Sequence, residues 1–309
     1  MSPLLKIALY LLAVLAAAVF LSPPVYGFFQ WLADVGIFTG FAGFPFHRFF
    51  TRIAQIAALV LLWPLVRWLN IRSIRELGID QNPVFGRDLL AGFAITLVLM
   101  AILGGIYFGA EIYRVRPHVD WIKLLRIAAS AAFVGVIEEF LFRAVLLGLA
   151  VKAFGRTGGV LLSAGLFAAV HFLRPSREGA EVVTWTSGFG QLFSFVEAAP
   201  ALPLLVAGMA SLFAVGLVLA SVTVRTHSLA LAIGIHAAWV FGQQSLSVIG
   251  KYRVKPGDAL LPWVGPNLVS GAVPTGLLPL AVLGVTALLL GLYLKYVPRP
   301  PATLAEGRD

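Results

Sequence analysis

Ile127-Ala-Ala-Ser-Ala-Ala-Phe-Val-Gly-Val-Ile-Glu138-Glu139-Phe-Leu-Phe-Arg143-Ala-Val-Leu-Leu-Gly-Leu-Ala150 is an apolar stretch long enough to cross a bilayer, with two adjacent carboxylates and an arginine inside it. A helix needs about 20 apolar residues to span the hydrocarbon core. A charged side chain at the middle of such a helix costs about 2.5–3.5 kcal/mol on insertion scales. Three of them within six positions bring no packing benefit, so the default reading is a functional polar site within the membrane.

The rest of the chain agrees with a membrane setting. Its 309 residues are 60% hydrophobic and 12% charged, with a mean hydropathy of +0.93. Soluble domains carry about 25% charged residues. The net charge of +9 sits mostly in short segments between apolar runs, where loops meet anionic headgroups. No separate basic face exists, which argues against nucleic acid as a partner and leaves the lipid bilayer as the surroundings. There is no cysteine, so disulfides, thiolate nucleophiles and Cys-ligated zinc are excluded.

Apolar windows fall near 4–22, 50–69, 88–110, 124–149, 158–173, 202–224, 228–249 and 276–297. They predict an all-α, multi-pass membrane bundle of about eight spans, in the cell membrane if the source is bacterial. The first window reads as an uncleaved span rather than a signal peptide, because no small-residue cleavage site precedes Pro23-Pro24. The segment from Gly27 to Pro45 is expected to be interfacial or re-entrant. Trp185 to Leu205 is expected to hold an extra amphipathic helix, and Gly155-Arg-Thr-Gly-Gly159 to form a turn. No repeat or long linker divides the chain, so a single membrane domain over 1–309 is expected, with its motif core at about 120–245. Basic residues divide evenly between the two sides; the polar loop 67–87 favours cytoplasmic termini.

Three spans carry ionisable groups away from their ends: Glu138, Glu139 and Arg143 in the fourth, His171 in the fifth and His236 in the seventh. Glu139 and Arg143 are four apart and share a helix face. Glu138 and Glu139 are about 100° apart on a helix, so they are expected to serve different partners: Glu139 pairs with Arg143, and Glu138 faces a cavity between spans four, five and seven. A carboxylate there is suited to taking a proton from water. One imidazole could hold the water and the other could donate to the oxyanion formed on an attacked amide. Glu138, His171 and His236 are equally a zinc ligand set. Taken singly, the Glu139–Arg143 pair and each histidine read as structural; together, in three spans, they read as a site. Glu178, Glu181 and Glu197 read as a solvated loop face.

These residues resemble the intramembrane proteases that include the Ras-converting CAAX endopeptidases and bacterial bacteriocin-processing relatives, the CPBP or Abi family. Its Glu-Glu-x-x-x-Arg motif matches Glu138-Glu139-Phe-Leu-Phe-Arg143. Its Phe-x-x-x-His motif matches Phe167 to His171, and its third motif begins at His236. The resemblance implies an eight-helix intramembrane endopeptidase. Glu138 would be the water-activating base assisted by His171, His236 the oxyanion stabiliser, and Glu139 and Arg143 the orienting pair. The substrate class would be a membrane-anchored peptide or protein, lipidated near its C-terminus in the CAAX case. The family leaves open a zinc enzyme and a metal-free glutamate enzyme; the reading favours the latter. The third motif usually ends in Asn or Asp four residues after its histidine. Here Val240 stands there, and Gln243, on nearly the same face as His236, is the candidate replacement. The competing reading is a non-catalytic membrane protein, a proton-coupled transporter or a bacteriocin-immunity scaffold, since intramembrane Glu and His also build proton relays.

Overall fold

The computed structural model describes residues 3–172, 182–197, 202–255, 257–265 and 276–298. Glu178, Glu181 and the chain beyond Pro298 lie outside them. Among the described residues the fold is all-α apart from one small ribbon. Its long helices are α1 (Pro3–Asp34), α2 (Phe46–Trp68), α3 (Phe85–Gly109), α4 (Trp121–Glu139), α5 (Leu147–His171), α7 (Leu202–Thr226), α8 (Ala230–Ile249) and α10 (Leu277–Tyr296). Two shorter helices are α6 (Ser187–Glu197) and α9 (Leu261–Val264), and a π-helical turn, Phe140–Leu146, joins α4 to α5. The strands β1 (Tyr113–Val115) and β2 (Gly250–Tyr252) pair antiparallel.

Among the described residues, five helices are long and apolar enough to cross a membrane: Leu5–Asp34 within α1, then α2, α3, α7 and α10. This makes the chain a multi-pass membrane protein. Eight spans were expected from the apolar windows. The three helices that fall short, α4, α5 and α8, are the ones that carry the polar motifs. The N-terminal reading also changes: α1 continues through Pro23-Pro24 to Asp34, so much of the segment expected to be interfacial is helix. Proline is tolerated within membrane helices because neighbouring groups satisfy the freed carbonyls. The amphipathic helix expected between Trp185 and Leu205 is α6. The turn expected at Gly155 appears as a break within α5, where φ of 71° and ψ of 177° are non-helical and glycine carries no Cβ penalty.

The chain forms two compact units, residues 1–72 with 171–201, and residues 73–170 with 202–309. In the first, α1 packs on α2 and α6. Ala18, Val19 and Phe50 form its core, with Leu192 and Phe195 against them. Gly188 lets α6 approach α1 so closely that an added Cβ would lie 2.0 Å from the Val19 carbonyl oxygen.

In the second unit α8 is the central helix, and every residue from Ala230 to Trp239 is buried. It runs parallel to α3 along a seam of small residues. A Cβ on Gly234 would sit 2.2 Å from the Leu89 carbonyl oxygen, one on Gly92 2.6 Å from that of Leu231, and one on Gly242 2.8 Å from Met100 Cβ. Small residues let membrane helices approach this closely and gain dispersion contacts. On another side, Gly135 of α4 meets Ala237 and Ile233 of α8. These two contacts fix the height and rotation of α8, and with them the direction of His236.

Candidate active site

The polar residues of α4 and α8 meet where α4 passes into the π turn. Nδ1–H of His236 donates to Oε1 of Glu139 at 2.7 Å. The same carboxylate oxygen lies 3.3 Å from a terminal nitrogen of Arg143. The other ring nitrogen of His236, Nε2, faces Oε2 of Glu138 at 3.8 Å. Glu139 and Arg143 are wholly buried and His236 nearly so, whereas the Glu138 side chain is 30% exposed. The expected Glu139–Arg143 pair is present, and Glu138 is the more open carboxylate.

One expectation is corrected. The two glutamates do not serve different partners, for both reach His236. Helix geometry separates their directions by about 100°, but an imidazole offers two nitrogens on different edges of its ring. With Nδ1–H engaged by Glu139, the tautomer is set and Nε2 is the nitrogen turned towards Glu138.

The π turn positions Arg143. A π turn bonds i to i+5 and is often found at functional sites. The Ser163 hydroxyl of α5 donates to the Phe142 carbonyl within it, at 3.3 Å. The Arg143 guanidinium lies 4.2 Å from the ring centre of Phe167, a cation–π geometry. Phe167 also packs edge-on against His236, with ring centres 5.9 Å apart. Thus the fifth predicted span contributes to the cluster through Phe167. His171, the last residue of α5, stands one helical turn beyond Phe167 and is half-buried. Sequence reasoning missed Ser163, whose only signal was a hydroxyl in an apolar helix. It quoted Phe167 as part of a motif without seeing that its ring meets both Arg143 and His236.

The chemistry of this cluster is that of a buried imidazole fixed by one carboxylate and presented to another. Residues 120–242 match the family model described as type II CAAX prenyl endopeptidase Rce1-like. This segment is an Rce1-like domain. No protein of curated function and no solved structure matches the chain. The Rce1-like segment contains α4, the π turn, α5, α6, α7 and most of α8, and with them every residue of the cluster. Among the described residues, no group of three or more His, Asp or Glu side chains is disposed to hold a metal ion. Oε1 of Glu139 is engaged by both Arg143 and His236.

Proposed function

We propose that this protein is an intramembrane endopeptidase that hydrolyses a peptide bond of a membrane-anchored peptide, with C-terminally lipidated, CAAX-type peptides as its substrate class. The observation that carries this reading is the placement of the two glutamates on the two nitrogens of His236, inside a domain of the Rce1-like family.

In the proposed mechanism a water molecule is held between Oε2 of Glu138 and Nε2 of His236. Their 3.8 Å separation is too long for a direct hydrogen bond but brings both within reach of one bridging oxygen. Glu138 takes a proton from this water as its oxygen bonds to the scissile carbonyl carbon. The C–N bond then breaks, and Glu138 returns the proton to the departing amine. Glu139 holds His236 in one tautomer and orientation, a role analogous to that of the carboxylate in a Ser-His-Asp triad. Arg143 balances the Glu139 charge, and Phe167 keeps water from that pair. On the family resemblance, His171 assists Glu138, and His236 stabilises the oxyanion, a task that requires a proton on Nε2.

The test is comparative proteomics of membranes holding the wild-type protein or Glu138→Ala. A membrane peptide that accumulates uncut only in the variant supports the reading and names the substrate. Identical peptide profiles, with both proteins folded and equally abundant, would reject it.

A further inference from the structure

The ends of α3 and α8 on one side of the second unit are joined by the β1–β2 ribbon. Its register sets Tyr113 opposite Tyr252 and Arg114 opposite Lys251. The two faces differ completely. On one, Tyr113 and Tyr252 meet with ring centres 5.3 Å apart, and Tyr107 stacks on Tyr113 at 5.8 Å. Burial, with Tyr252 nearby, pushes the Tyr113 hydroxyl up to about 12, so this aromatic floor is uncharged at neutral pH.

The other face is cationic. Arg114 and Lys251 are directly opposite, and strand alternation returns Arg253 to the same face as Lys251. Like charges placed opposite each other destabilise a strand pair. Among the described residues, none of these three forms an ion pair. Arg114 and Arg253 line a cavity of about 340 Å³ with Phe108, Glu111, Tyr113 and Val115. Glu111, its one acid, has a φ of 55°, a left-handed conformation uncommon for a residue with a side chain. Within the ribbon Val115 is 61% exposed, and Trp121, Ile122 and Leu125, which follow in the chain at the start of α4, are 72%, 64% and 72% exposed.

We propose that this ribbon and its cavity bind the phosphate of an anionic phospholipid headgroup, with Arg114 and Arg253 clasping the phosphate and Lys251 adding its charge. Guanidinium groups suit phosphate oxygens by geometry as well as charge. The ribbon follows directly on the candidate span α3, at the level where headgroups lie. A soluble anion would account for the cations alone. A lipid accounts also for the exposed tryptophan and aliphatic side chains that follow the ribbon within ten residues of the chain, the composition of a membrane–water interface. The site is separate from the peptidase reading and does not depend on it.

The test uses the purified full chain in mild detergent, with lipid adducts counted by native mass spectrometry. Phosphatidylglycerol is expected to be retained in preference to phosphatidylcholine. Each basic residue near an anionic surface contributes about fivefold, so Arg114→Gln/Arg253→Gln should weaken phosphatidylglycerol binding by about 30-fold. Glu111→Gln should strengthen it. Equal retention of the two lipids, or phosphatidylglycerol binding unchanged in a folded double variant, overturns the proposal. So does inorganic phosphate that competes at the same concentration as the lipid, which would assign the cations to a soluble anion.

Discussion

Oε1 of Glu139 accepts the Nδ1 proton of His236 across 2.7 Å, although the two residues are 97 positions apart in the chain. That bond gives the two neighbouring glutamates different tasks. Glu139, wholly buried and also 3.3 Å from Arg143, holds the imidazole. Glu138, partly open, is left to meet water and substrate.

Glu138→Gln and Glu139→Gln should therefore both abolish cleavage while differing in stability. The first removes the base from an exposed edge of the cluster. Turnover should fall by about 10²–10⁴-fold with the melting temperature unchanged. The second leaves the Arg143 guanidinium buried without its counter-charge, which costs about 3–5 kcal/mol. Adding Arg143→Met to Glu139→Gln should recover most of that loss and none of the activity. Peptide cleavage and thermal unfolding of the three variants check this; equal destabilisation by both single changes would rule out the division of labour.

Much of this arrangement was legible in the sequence. The apolar windows located the long helices, and the charges that interrupt them located Glu138, Glu139, Arg143 and His236. What stayed hidden had physical causes. The first apolar window closes at 22, before two prolines of a kind that breaks soluble helices, but α1 continues to Asp34. The π turn has no compositional mark, since Phe-Leu-Phe-Arg-Ala-Val-Leu suits an α-helix equally well. The convergence of both glutamates on His236 escaped a helical-wheel argument because the wheel treats a partner as a point, and a ring is not one. The three-residue strands were too short for an alternating pattern to show.

The seam between α3 and α8 gives the second prediction. A methyl group at Gly234 would press on the Leu89 carbonyl oxygen at 2.2 Å and the Phe93 nitrogen at 2.8 Å, both backbone atoms that can yield only if the helices part. Gly234→Ala should cost about 1–3 kcal/mol through overpacking. Because His236 is two residues away, it should also lower turnover, since a displacement of about 1 Å at reacting groups can cost about 10²-fold. Gly105→Ala on α3, where nothing lies within 4 Å, should change neither property. Thermal unfolding and cleavage rates of the two variants, side by side, provide the measurement.

A second buried carboxylate has a structural task. Asp88 is wholly buried and accepts from Tyr293 of α10 at 2.6 Å and from Asn82 at 2.9 Å. The same Asn82 donates to Ser228 at the α7–α8 turn. Tyr293→Phe should lower stability by about 1.5–3 kcal/mol, the range for a hydrogen bond to a charged group, and leave cleavage intact at a temperature where the variant is folded. A loss of turnover without a loss of stability would assign Asp88 to the chemistry instead.

The last prediction concerns the position where the family motif departs. Val240, half-buried on α8, has no hydrogen-bonding side chain. Gln243 lies seven residues after His236 and so within about 20° of its direction on the helix. Its side chain is half-buried rather than sealed in the core, and its amide can donate to an oxyanion. Gln243→Ala should cut turnover by about 10²-fold with little change in KM, the effect of removing one oxyanion donor. Introducing Val240→Asn into that background places an amide one turn closer to His236, and should restore part of the lost rate. A purely structural glutamine would not be rescued from that position. Unchanged turnover in Gln243→Ala would leave the oxyanion to His236 and the backbone alone.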